Sequence, residues 1–172
     1  MDHSLVDIIA EDLEVLFCGI NPGLKSAIDG HHFSGRSNRF WRVLHLAGFT
    51  PHEIVAKKDR TILNYGYGLT TVVERPTSRA DQLSKQEFSD SAGIFTQKIE
   101  KYKPQYIAFL GKSAYQALSG LRDISWGVQQ KNIGESIVWV LPNPSGLNRG
   151  FSLTELTISY RQMLEAIKQD HN

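Results

Sequence analysis

The sequence predicts an α/β fold, a three-layer α/β/α domain with a small, mainly parallel four-stranded central sheet, and three observations lead there. Four short apolar runs of strand length alternate with segments of helical period. Such alternation builds a parallel sheet covered by helices on both faces. The first and fourth runs empty into loops rich in Gly, Pro and Asn, and right-handed crossovers bring the carboxyl ends of parallel strands to one edge. The two loops can therefore face one cleft, where open α/β sheets bind ligands.

Taken in order, Leu5, Ile8 and Ile9 predict a short opening helix. The first strand runs from about Glu14 to Gly19. The chain then breaks at Gly19, Pro22 and Gly23, leaving Asn21 as the polar side chain at the strand's end. By itself this segment reads equally well as a tight turn, with Gly23 supplying an unusual backbone angle and Asn21 capping its neighbours. Ser37 is placed to cap a helix whose Phe40, Trp41, Leu44 and Ala47 share one face, ending at Gly48. Thr50, Pro51 and Glu53 supply the cap, first-turn proline and capping-box glutamate of another helix. A second strand, Leu69 to Val73, leads into the turn-rich Glu74-Arg75-Pro76-Thr77. Phe95, Ile99 and Tyr102 mark an amphipathic helix stopped before Pro104. Tyr106 to Leu110 is the third strand, and Gly111 opens a helix through Tyr115 and Leu118. Ile137 to Leu141 is the fourth, followed by the loop Pro142 to Gly150. The closing helix has Ser152 as cap, Glu155 as its box partner, Phe151 and Leu156 as a hydrophobic staple, and an inner face of Leu156, Tyr160, Met163, Leu164 and Ile167.

A chain of 172 residues without repeats or linkers reads as a single domain, residues 1–172, able to bury its own core. Apolar content of 41% with 22% charge argues against disorder. No apolar run approaches the roughly 18 residues needed to span a bilayer, and Met1 to Ser4 lacks a secretory pattern. No membrane association and a cytoplasmic location are the expectations. Cys18 is the only cysteine, which excludes an internal disulfide or a cysteine-ligated cluster. Residues 25 to 42 carry Lys25, Arg36, Arg39 and Arg42 against a lone Asp29. That excess fits either a phosphate backbone beside the Asn21 loop or a solvated helix face.

Several motifs fail on spacing. Gly111-Lys112-Ser113 resembles the end of a phosphate-binding loop, but the pattern needs a glycine where Tyr106 stands. Gly19, Gly23 and Gly30 lack dinucleotide-binding spacing. His31-His32 has no carboxylate or thiol partner at a metal-ligand spacing, so neither a metal nor any other cofactor is expected. No serine sits in a nucleophile elbow.

Four blocks carry more specific information: Gly19-Ile20-Asn21-Pro22-Gly23-Leu24, Gly30-His31-His32-Phe33, Asn38-Arg39-Phe40-Trp41 and Leu141-Pro142-Asn143-Pro144-Ser145-Gly146-Leu147. With Val73 to Thr77 and Ser84 to Glu87, they resemble the mismatch-specific uracil-DNA glycosylase and thymine-DNA glycosylase family over about Leu5 to Leu164. The closing block is nearer the bacterial mismatch-specific branch and Gly30-His31-His32 nearer the thymine-processing branch. The resemblance implies a nucleoid-acting repair enzyme whose partner is double-stranded DNA containing a mismatched or damaged pyrimidine; because no apolar surface helix is left without a core role, a monomer is expected. Such an enzyme must extrude its target nucleotide. It implies that Asn21 positions the attacking water and that Ile20 and Phe33 hold the base. Ser26 and His32 would meet position 5 of the pyrimidine. Leu147 would be the wedge that fills the vacated space. Gly146 and Asn148 would face the widowed base, Arg149 would support the wedge or a phosphate, and Asn143 and Ser145 would orient the loop and touch the backbone. Bacterial members of the family it resembles commonly carry serine where Asn148 stands and lysine where Thr71 stands, so the chain departs from the pattern at both.

Two other readings stay open at the level of sequence. One is a catalytically silent damaged-base binding module, against which Asn21 and Phe33 argue. The other is a hydrolase of free nucleosides on a similar scaffold, for which a Leu147 plug would have no use.

Overall fold

The structure, a computed structural model, describes residues 5–172; Met1 to Ser4, and the reading of them as lacking a secretory pattern, lie outside the described residues. Alternation along the inner strands decides the layers. In β1 (Val15–Gly19) and β3 (Tyr106–Leu110), Val15, Phe17, Tyr106, Ala108 and Leu110 join one core, while Leu16, Cys18, Ile107 and Phe109 join another on the opposite face. Strands buried on both sides must be apolar throughout, which is why these runs are unbroken.

A short helix, α1 (Leu24–Asp29), follows β1; the first core packs under α2 (Phe40–Leu46) and α5 (Leu153–Asp170), the second under α3 (Lys85–Tyr102) and α4 (Lys112–Ser119). Two further strands, β2 (Tyr67–Thr71) and β5 (Ile137–Leu141), flank the inner pair in parallel, with Val15 opposite Tyr67 and Tyr106 opposite Ile137. The expected α/β/α class is present, with one strand more than expected. β4 (Gly127–Val128) pairs antiparallel with β5, giving the order β2-β1-β3-β5-β4. A two-residue strand has too little pattern to be visible in sequence.

Four local expectations are corrected. Leu5 to Ile9 forms no helix. Ile8 exchanges backbone hydrogen bonds with Leu69 at 3.0 and 2.7 Å, covering the free edge of β2. A side chain at Gly68 would stand 2.6 Å from the Ile8 carbonyl, so the close approach requires glycine there. Thr50 caps no helix either, because its hydroxyl donates to the His52 carbonyl at 2.8 Å; the helical segment is a 3-10 helix over Ala56–Tyr65. The second strand begins and ends two residues earlier than expected, at Tyr67 and Thr71. At α2, Asn38 rather than Ser37 supplies the side chain, its carbonyl accepting from Phe40 N at 2.9 Å.

The closing helix follows its signals. Ser152 Oγ accepts from Glu155 N at 3.1 Å and Glu155 accepts from Ser152 N at 3.0 Å, while Leu156, Tyr160, Met163, Leu164 and Ile167 are buried. Tyr160 reaches through the core to donate to the Pro142 carbonyl at 2.9 Å. The last helix thereby grips the start of the loop after β5.

Candidate active site

The carboxyl ends of β1, β3 and β5 open into a cleft of about 620 Å³, within the range of small-ligand sites. Gly19, Ile20 and Asn21 line one side, Phe33 and Ser26 another, and Asn143 with Ser145 to Asn148 the third. The two loops predicted to face one cleft do so. Among the lining residues are Lys25, Arg79 and Lys112 but no Asp, Glu or His. The cleft thus favours an anionic ligand and offers no carboxylate or imidazole as general base.

Asn21 is oriented by its neighbours. Its Nδ2 donates to the Arg75 carbonyl and to Thr77 Oγ1, each at 2.8 Å, and the Thr77 hydroxyl in turn donates to the Arg79 carbonyl at 2.8 Å. A main-chain carbonyl only accepts, so the amide nitrogen must face it. That leaves Oδ1, which accepts from no described residue, as the free end of the amide. The turn supplying these acceptors is braced by Arg75, whose guanidinium pairs with Glu87 and donates to the Gln82 carbonyl at 2.9 Å. The Arg75 guanidinium, followed by the Ser84 N–H, pulls the Glu87 carboxyl down to about 2.

Among the described residues Phe33 is one of three non-glycine residues with positive φ, at 53°. Its ring stacks on Phe40, with centroids 4.2 Å apart. The backbone on either side is pinned. The His32 N–H donates to Asp59 Oδ2 at 2.8 Å, the His32 carbonyl accepts from Trp41 Nε1 at 2.9 Å, and Ser34 N donates to Ser26 Oγ at 3.2 Å. An uncommon conformation held from three sides is a mark of a functional position.

Opposite, Leu147 stands 71% exposed at the tip of the loop after β5. Asn143 Oδ1 accepts from Ser145 N at 3.0 Å and Ser145 Oγ from Leu147 N at 3.2 Å, so the tip is folded on its own side chains. Gly146 lies so close to Ser37 that an added Cβ would meet its main-chain oxygen at 2.8 Å.

A family comparison places this cleft within a known group: residues 6–168 match the model of the uracil DNA glycosylase superfamily. The chain belongs to the uracil DNA glycosylase superfamily. Membership supports a role as a DNA N-glycosylase, a hydrolase of base-excision repair acting on DNA. Among solved structures, a solution NMR structure from Methanosarcina acetivorans, provisionally named a uracil DNA glycosylase, has the same fold. It matches with a TM-score of 0.60 and 24% identity over 94% of this chain and 97% of that one.

Within this uracil DNA glycosylase fold, three expected site residues stand elsewhere or are already engaged. His32 is buried at 4% exposure and absent from the cleft lining; its Nε2 lies 2.8 Å from the Val6 carbonyl and therefore carries the proton. Burial outweighs the Val6 and Asp59 contacts and lowers its pKa, so the ring is neutral and structural. The Asn148 amide is spent within the loop, donating to the Asn143 carbonyl at 2.9 Å and accepting from Gly150 N at 3.2 Å. It is not free to read a base. Arg149 is exposed beside the loop and does not line the cleft. Asp29 faces a separate hollow with His31, Ser34 and Val55.

Sequence reasoning missed the supports. Arg39, placed in a basic patch, spends its guanidinium on protein carbonyls. Asp59, 3% exposed, holds both histidines, accepting from His32 N and lying 3.2 Å from His31 Nδ1. Thr77 and Arg39 lie in blocks that carried the family resemblance, so a signal existed for their presence, though none for their contacts. Lys112 Nζ lies 4.6 Å from the centre of the Trp126 ring at the cleft wall, a pair that no motif announced. No helix among the described residues is long and apolar enough to cross a membrane, and they include no cluster of three metal-ligating side chains.

Proposed function

We propose that the chain is a monofunctional glycosylase that removes uracil from G·U mismatches, and related damaged pyrimidines, from double-stranded DNA. Thymine opposite guanine is a weak substrate. The enzyme works as a cytoplasmic monomer without a cofactor. The nucleotide swings out of the duplex, a step costing a few kcal/mol and least at a mismatch. Its base enters between Ile20 and Phe33, where stacking on an aromatic ring contributes about 1–3 kcal/mol. Leu147 fills the gap left behind. With the Asn148 amide engaged, the widowed base meets Gly146 and the backbone of the loop tip.

The observation that carries this reading is the orientation of Asn21, whose amide nitrogen is tied down and whose Oδ1 is left to accept a hydrogen bond from water. The water adds to the deoxyribose C1′ as the bond to the base nitrogen breaks; the electron pair leaves with the base, and the proton released by the water passes to solvent. A neutral amide orients water but does not usefully take its proton. Catalysis therefore rests on orientation and on a base that departs as a comparatively stable anion. Ser26, in the pocket wall, is the side chain that meets position 5 of the pyrimidine; one methyl group there is worth only about 1–3 kcal/mol of discrimination.

The test is single-turnover incubation with a labelled G·U duplex followed by alkali, with a G·T duplex and Asn21→Ala alongside. Strand cleavage that falls on the order of 100-fold in the variant is expected. Cleavage unaffected by the substitution removes Asn21 from the mechanism. Thymine released as fast as uracil defeats the proposed selectivity. Intact duplex binding without cleavage points to a silent damage-binding module.

A further inference from the structure

The least expected use of a charged group in the molecule is that of Arg39. Its Nη1 donates to the Phe151 carbonyl at 2.7 Å, Nη2 to the Ser145 and Asn148 carbonyls at 3.0 and 2.9 Å, and Nε to the Pro144 carbonyl at 3.4 Å. The Arg39 N–H donates to that same Pro144 carbonyl at 3.0 Å. No carboxylate pairs with the guanidinium among the described residues. Its donors are spent on one segment of main chain, at both feet of the loop and on either side of its tip.

We propose that Arg39 is the positioning residue of the loop after β5, a rigid fork that holds the loop ready-made with Leu147 outside before DNA arrives. This rests on the proposed reading of Leu147 as a wedge. A short loop of Asn, Pro, Ser and Gly has no helix or sheet to consume its carbonyls, and unpaired carbonyls leave a segment free to rearrange. Four of them converge on the planar donor set of one side chain. The donors of a guanidinium are fixed relative to one another, whereas those of an ammonium rotate about a single point. The contact between Gly146 and Ser37 closes the arrangement from the other side, because any larger residue at Gly146 would lift the loop off the segment that carries Arg39. A loop already in its inserting shape needs no ordering when it enters the duplex, and preorganisation of this kind acts on affinity.

The test is a double-mutant cycle on affinity for a duplex carrying an abasic site opposite guanine, where the wedge occupies the gap. Arg39→Gln in the otherwise unchanged protein is expected to weaken binding by about 10-fold or more, on the scale of lost charge-assisted hydrogen bonds. In Leu147→Ala, where no wedge remains to be aimed, the same change should cost less than about threefold, since residues acting as a unit are not additive. Arg39→Lys should behave like Arg39→Gln rather than restore binding. Equal losses with and without Leu147, or full rescue by lysine, would overturn the proposal. Amide hydrogen exchange of residues 145–150 without DNA supplies an independent arm: it should quicken in Arg39→Gln, and unchanged protection refutes the anchor. Gly146→Ala provides a second variant with the side chain of Arg39 intact and should quicken the same amides. Should the unaltered protein neither bind the abasic duplex nor release uracil, the glycosylase reading fails, while the exchange result still decides whether Arg39 shapes the loop.

Discussion

On the walls of the cleft away from the loop after β5, Asn21 and Phe33 owe their positions to side chains outside their own loops, Thr77, Asp59 and Trp41. On the opposite side, the loop bearing Leu147 is shaped by its own short polar side chains and by a guanidinium that binds its main chain. The first arrangement fixes the angle of single groups and so bears on the chemical step. The second fixes the outline of a segment and so bears on the fit to a duplex. Substitutions on the two sides should consequently separate rate from affinity.

The largest break in that contrast is expected from Phe33→Ala. Loss of a base-stacking ring worth about 1–3 kcal/mol should lower single-turnover efficiency on a G·U duplex by about 5- to 150-fold. Unchanged efficiency would show that the ring serves only to cover Phe40. Next comes Asp59→Ala, which leaves the His32 N–H without its acceptor and should reduce stability by about 1–3 kcal/mol, measured by urea unfolding. Asp59→Asn retains a carbonyl acceptor and should recover part of the loss. A smaller and sharper effect is expected from Thr77→Val. The amide of Asn21 loses one of its two acceptors, and excision should slow on the order of 10-fold with duplex affinity unchanged. Equal losses of rate and affinity would erase the distinction between the two sides.

The smallest effect concerns pH. The Glu87 carboxyl, ordinarily at 4.5, is held down to about 2 by Arg75 and then by the Ser84 N–H. A carboxylate with a depressed folded-state pKa adds stability above its unfolded value, and that stability is lost as pH falls from about 4.5 towards 2. In Arg75→Gln the urea midpoint should therefore vary less across that window. Arg75 is exposed and Glu87 only half-buried, so the change should be slight. Excision near neutral pH should persist, since Asn21 uses the main-chain carbonyl of Arg75 rather than its guanidinium.

How much of this was legible in the sequence depended on whether the deciding forces were local. The bounds of β3 and β5 follow from apolar runs buried on both faces, and the cap of α5 follows from Ser152 and Glu155 three residues apart. The segment at Ile8 misled because its partner, Leu69, is far along the chain and outweighs local helical spacing. At the site, Asn21, Phe33 and Leu147 could be named because their blocks carry the family pattern. The acceptors that turn Asn21 are 54 and 56 residues away, and the carbonyls held by Arg39 lie 105 to 112 residues away. Residue type says that such groups can donate or accept; only the fold says to whom. His32 illustrates the reverse case, a residue whose block suggested a pocket wall and whose ring instead reaches the Val6 carbonyl.

The placement of Trp126 has a spectroscopic consequence. Of the three tryptophans, Trp41 is 7% exposed beneath the Phe33 segment, whereas Trp126 is 43% exposed on the cleft wall, edge-on to Phe151 at 5.4 Å and under Lys112. Solvated indole emits at longer wavelength than buried indole, and its emission is sensitive to nearby nucleobases. The red edge of the protein's own fluorescence should therefore respond when a strand enters the cleft, with Trp41 as a quieter internal reference. Trp126→Phe would silence that response, giving an unlabelled optical readout of occupancy that can be followed on the timescale of a single turnover.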